Sequence, residues 1–156
     1  EQVLLMASGL YSKTFADLMT QDNAVDFNAT QFSLMLVTAS YTPLFDAHTV
    51  KSDAAGSEIT YGGSTGYLQG GKALSGITLG RTSDNTSVIT WDADNVSWTS
   101  STISSAAGGV IYDNTTSGLP LIGFIDFNGS FSTTSGTFEV QWNPSGIFTF
   151  DLTPTP

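Results

Sequence analysis

Apolar residues recur at two spacings along this chain, and the period of two dominates. Near the start, Tyr11, Phe15, Leu18 and Met19 fall at i, i+4, i+7 and i+8, one stripe of an amphipathic helix over residues 6–22. From there on the signals are those of strands. Phe32-Ser33-Leu34-Met35-Leu36-Val37 is apolar on both faces and reads as a covered strand. Residues 40–66, punctuated by Pro43, Gly56, Gly62, Gly63 and Gly66, read as a long irregular segment, which inside a compact domain is usually functional or mobile. Residues 67–82 and 86–91 read as strands, and Val96-Ser97-Trp98 begins another after an Asp-Asn hairpin turn.

The last third is patterned most sharply. Leu121 to Phe127 runs into Asn128-Gly129, the strongest short hairpin signal, with Phe131 on the return strand. Phe138, Val140 and Trp142 alternate with Glu139, Gln141 and Asn143. Asn143-Pro144-Ser145-Gly146 then turns the chain into Phe148, Phe150 and Leu152. Many short strands and one helix predict an all-β fold. It is an antiparallel β-sandwich of jelly-roll type over residues 28–156, preceded by a helical arm at 1–27. Its expected core is Leu34, Leu36, Val110, Ile122, Phe124, Phe138, Val140, Trp142 and Phe148. A sandwich complete without the arm leaves the stripe of Tyr11, Phe15, Leu18 and Met19 free to dock on a partner subunit; the alternative is that the arm packs back across its own sheet.

Composition narrows the function. Ser, Thr, Asn and Gly supply the polarity, and fourteen acids against four bases give a net charge of −10. Such a surface repels phosphate, which argues against direct binding of nucleic acid or anionic membrane. The longest apolar stretch falls far short of the roughly 20 residues that span a bilayer. The start lacks the basic and apolar regions of a signal peptide, and Glu1 to Leu5 reads as leftover sequence or an extension before Met6. The chain has no cysteine, so disulfides and thiolate metal sites are excluded and the folding compartment is left open. Five Asn-x-Ser/Thr sequons, at Asn28, Asn85, Asn95, Asn114 and Asn128, read as turn-forming Asn beside β-loving Thr and Ser.

Three segments imitate catalytic motifs, and each fails on context. Gly62-Gly63-Ser64-Thr65-Gly66 matches a hydrolase nucleophile elbow, but glycines follow it and the only histidine, His48, lies upstream. Gly66 to Ala73 resembles a phosphate loop but lacks the hydroxyl residue after Lys72, so Gly70 and Gly71 read as a strand start where backbones approach closely. Asp92-Ala93-Asp94-Asn95 opens like a calcium loop, but Val96 stands where a ligand belongs. The turn reading is set beside a calcium site completed by Asp113 or Asp126. His48 has no sequence partner and reads as a surface-loop residue. Glu58 and Glu139 are a formal glycosidase pair with nothing to fix their separation. Trp91, Trp98 and Trp142 are either packing residues or a sugar-stacking platform. No catalytic, metal or cofactor residue is assigned.

Taken in order, Met6 to Ser12, Phe32 to Thr38, Tyr41 to His48, Gly70 to Leu74, Asp92 to Trp98, Val110 to Asp113, Pro120 to Phe127 and Gln141 to Phe148 resemble a family of small virion proteins of tailed bacteriophages. The likeness covers most of the chain from Met6 onward and lies in the order of the pieces. It implies a non-enzymatic, β-rich cement or decoration protein on the capsid exterior. Its partners would be the major capsid protein or other virion subunits, with self-association as trimers or dimers. The reading set against it is a carbohydrate-binding or adhesive β-sandwich.

Overall fold

The structure is a computed structural model, described here for residues 8–22, 25–28, 31–81 and 87–153. Among the described residues, ten strands and two helices follow in chain order: β1 (Gly9–Leu10), α1 (Ser12–Thr20), β2 (Phe32–Val37), α2 (Ser52–Ala55), β3 (Lys72–Ala73), β4 (Thr78–Arg81), β5 (Val88–Asp92), β6 (Val96–Ser101), β7 (Ala106–Asp113), β8 (Leu121–Phe131), β9 (Gly136–Val140) and β10 (Phe148–Asp151). All pairings are antiparallel. One sheet has the order β1-β8-β7-β2-β3, and the opposing layer is split into two ribbons, β10-β5-β4 and β6-β9. This is the all-β sandwich that the period of two predicts.

Every residue of β2 and β7 is buried. Phe32, Leu34 and Leu36 point from β2 into the sandwich, against Trp91, Val96, Trp98, Phe138 and Val140 of the two ribbons. Met35 and Val37 point the other way, into a second core with Val110, Tyr112, Leu121 and Phe124. The expected core is buried at seven of its nine positions, with Trp142 and Phe148 partly buried at its edge.

The second core explains the long segment at 40–66. Tyr41 and Ala54 roof it, so these residues form a third layer over the sheet. Backbone bridges Val37–Glu58 and Val50–Pro120 tie that roof down. The Asp53 carboxylate accepts the N–H groups of Thr49 and Val50, which hold its pKa below the ordinary value of 3.8. This stabilisation is present above that value and lost as pH falls below it.

Three expectations about the chain path are corrected. Asn128-Gly129 does not turn a hairpin: β8 runs straight through it to Phe131, which pairs with Ala106 of β7. Asn128 takes φ +53 inside an irregular register, where β7 advances two residues while β8 advances five. The left-handed residue that a tight turn needs is spent on a bulge. Likewise, Asp92 to Val96 closes no hairpin, because β5 and β6 lie in different ribbons and the link crosses between them. The helix is also shorter than 6–22: Gly9–Leu10 is a strand, and α1 ends where Gln21 turns left-handed at φ +60. Met6 and the residues before it lie outside the described ones, as does the sequon at Asn85.

Asp113, fully buried at the end of β7, organises the next turn. Its carboxylate accepts the N–H groups of Thr115 and Thr116, both threonine hydroxyls and the Gln31 amide. Asp113→Ala orphans these donors, several of which lie near enough to solvent to rehydrate. The expected cost is about 2–3 kcal/mol, read from urea unfolding, with Asp113→Asn costing less.

Candidate functional site

An open groove of about 480 Å³ lies between the far half of β8 and β9. These strands are consecutive, joined by Ser132 to Ser135, yet they do not pair: β8 stays with β7 in one layer and β9 with β6 in the other. Phe127 and Phe138 meet at ring centroids 6.2 Å apart. With Val140, half-buried Trp142 and exposed Phe131 they give the groove an apolar surface. Trp142 is held from behind, its indole N–H donating to the Asp94 carbonyl (2.9 Å) and its backbone N–H to Asn95 Oδ1 (3.0 Å). The segment that imitates a calcium loop thus serves as a seat for Trp142.

The two edges of the groove differ. On β8 the Asp126 N–H donates to Ser8 Oγ and the Asn128 N–H to Asp126 Oδ1, each at 2.9 Å, so this edge is capped. The β9 strand pairs only with β6 among the described residues, and its other edge lies along the groove. Asp126 and Glu139 are the charged residues of the lining, and none of the chain's basic residues joins them. Lys13 pairs with Asp17, Lys51 lies over the Tyr112 ring and Lys72 donates to the Ser97 carbonyl.

The stripe expected to reach a partner mostly stays at home. Tyr11 is fully buried and shares a 2.6 Å hydrogen bond with Tyr41. Phe15 packs on Phe27, Phe148 and Phe150, with centroids 5.3 to 5.9 Å away, and Leu18 sits partly buried on the same core. Met19, 84% exposed, is the one member left on the surface. The arm therefore packs in cis, because β1 pairs with β8 and leads α1 straight onto the sandwich. Phe15→Ala is expected to cost about 2–3 kcal/mol in urea unfolding. Met19→Ser should stay within about 0.5 kcal/mol. Equal small costs would return the helix to docking in trans.

Most of the other singled-out residues have structural roles. Trp91 is buried with its indole N–H donating to the Phe27 carbonyl at 2.8 Å, and Trp98 is buried against Tyr67 and Phe138, so no platform of three tryptophans exists. Ser64 lies exposed in a turn that Thr65 holds through the carbonyls of Gly62 and Tyr67. His48 is not a lone surface residue: half-buried, it accepts or donates at Nδ1 to the Tyr41 hydroxyl at 3.0 Å and stacks on that ring. Glu58 accepts the Tyr67 hydroxyl (3.0 Å) and the Gly70 N–H (2.6 Å), a structural role, while Glu139 lies on the groove. Among the described residues no three His, Asp or Glu side chains gather as a metal site would require.

Sequence reasoning missed the groove because Asn128-Gly129 reads as a turn, which folds Phe131 back onto Phe127 instead of carrying it along the same strand. The one available signal was Phe131 itself, a large apolar side chain among Ser130, Ser132 and Thr133 with no apolar alternation around it. Comparison with protein-family models, with curated proteins and with solved structures finds no match to this chain.

Proposed function

We propose that this chain is a non-enzymatic structural protein of a virus particle, a cement or decoration protein on the capsid exterior whose work is binding. The virion assignment comes from the sequence resemblance. The observation that carries the binding role is that an open, largely apolar groove of about 480 Å³ lies beside a strand edge that is unpaired among the described residues. Unpaired edges and exposed aromatics are what an assembling part offers to neighbours. Net charge of −10 keeps free copies apart and favours docking on a basic patch. Many copies on one shell then multiply modest contacts, and self-association as trimers or dimers belongs to the same reading.

Co-sedimentation with shells assembled from a major capsid protein tests it. The chain is expected to travel with the shells and raise their melting temperature, and to release as salt increases. A chain that stays in the supernatant at low salt, with shell melting unchanged, overturns the proposal. In the carbohydrate-binding alternative the candidate stacking surface narrows to Trp142 on the groove, since Trp91 and Trp98 are buried.

A further inference from the structure

We infer that the groove between β8 and β9 receives an extended basic segment of a protein partner, added as a strand to the free edge of β9. The inference rests on the assembly reading and names the chemistry of the occupant. Three features of the groove select it.

First, among the described residues only the β9 edge of the two is open, since Ser8 and Asp126 cap the N–H groups of β8 at Asp126 and Asn128. An added strand gains its main-chain hydrogen bonds from such an edge, and side chains at alternate positions enter whatever lies beside it. Second, what lies beside it is apolar and aromatic: Phe127, Phe131 and Trp142 present surface to alternate side chains of an occupant, above the buried Phe138. Third, the charged groups at the groove are Asp126 and Glu139, with no cation of this chain in the lining. Asp126 Oδ1 and Glu139 Oε2 are engaged by Asn128 and Gln141, which orients both carboxylates and leaves each a second oxygen to accept from Lys or Arg. A second copy of this chain fits poorly, because it brings another −10 to that rim. The five residues of β9 span about 17 Å, room for one short strand.

The probe is a capped hexapeptide alternating Lys and Val, labelled for fluorescence anisotropy, beside its Glu-Val counterpart and a version N-methylated at alternate residues. The Lys-Val peptide is expected to bind saturably, with at least tenfold weaker binding of the other two. Asp126→Asn with Glu139→Gln keeps both hydrogen-bond acceptors and should weaken binding at least tenfold. The charge-matched pair Asp22→Asn with Asp46→Asn, at exposed positions away from the lining, should change it less than twofold. Far-UV circular dichroism confirms that both variants stay folded. Equal binding of the N-methylated peptide overturns strand addition, and equal loss in both charge pairs overturns the site. Binding that appears only after residues 1–7 are deleted also overturns it, since the chain itself would then block the groove. A groove variant that rejects the peptide but still sediments fully with shells overturns this inference and leaves the assembly reading standing.

Discussion

Gly71→Ala is expected to destabilise the domain by about 3–5 kcal/mol, enough to unfold a substantial fraction of a domain of ordinary stability. Two separate costs meet at this position. Gly71 holds φ +83, where any other residue is strained by about 1–3 kcal/mol. A Cβ there would also lie 1.8 Å from the Leu34 carbonyl oxygen and 2.8 Å from the Met35 Cα, both backbone atoms of the buried strand β2, which no side-chain rotation can relieve. The chain must back away and break the β2–β3 pairing at Leu34 and Lys72. Gly56 is the matched control. It lies at φ −66 with nothing within 4 Å of its would-be Cβ, so Gly56→Ala should be neutral or stabilising by up to about 1 kcal/mol. Urea unfolding of the two variants decides the matter, and a Gly71→Ala midpoint within error of Gly56→Ala would refute the close-approach account. The segment that resembles a phosphate loop owes Gly71 to this contact.

What was legible in the sequence was local. Phe32 to Val37 announces a doubly covered strand because all six positions suit burial, and Phe138, Val140 and Trp142 mark an inner face by alternation alone. What was hidden depends on residues far apart in sequence. Asn128 tolerates a left-handed backbone equally in a turn or a bulge, and only pairing of Phe131 with Ala106 selects the bulge. In β7, Gly108 and Gly109 look like loop residues. They are strand because the Phe124 ring lies 2.5 Å from where a Cβ of Gly108 would sit, with Leu34 just as close to Gly109.

The site was hidden for the same reason. A groove between two strands that are adjacent in sequence but belong to different layers has no periodicity of its own. The amphipathic stripe, in contrast, is legible as apolar, and the structure covers three of its four residues within the chain. Its pattern shows that Tyr11, Phe15 and Leu18 must be covered, and is silent on what covers them. The ring cluster of Phe27, Phe148 and Phe150 gathers from three distant segments to do so.

Alkali is expected to unfold this protein cooperatively, through its buried tyrosines. Tyr11 and Tyr67 are both fully inaccessible. Burial pushes the Tyr11 hydroxyl far above its ordinary value of 10.0, and the hydrogen bond with Tyr41 adds to the shift. Burial does the same to Tyr67, with the charge of Glu58 beside it adding and the Leu36 N–H opposing. Tyr41 is raised as well, again chiefly by burial. In the unfolded chain these phenols ionise near 10.0, whereas the folded chain keeps them protonated. Stability is therefore fully present below that pH and falls as pH rises above it, by roughly 1.4 kcal/mol per pH unit for each tyrosine. The two fully buried tyrosines, Tyr11 and Tyr67, together give about 3 kcal/mol per unit, so about two units above 10 suffice to exhaust a marginal fold. Phenolate absorbance at 295 nm should accordingly rise in the same transition in which the far-UV strand signal is lost. Tyr67→Phe should lower stability at neutral pH by about 1 kcal/mol, through its lost hydrogen bonds, yet flatten the alkaline decline. Phenolate that appears gradually with the strand signal unchanged would mean that these hydroxyls reach water in the folded state, and the two cores would then not be closed as described.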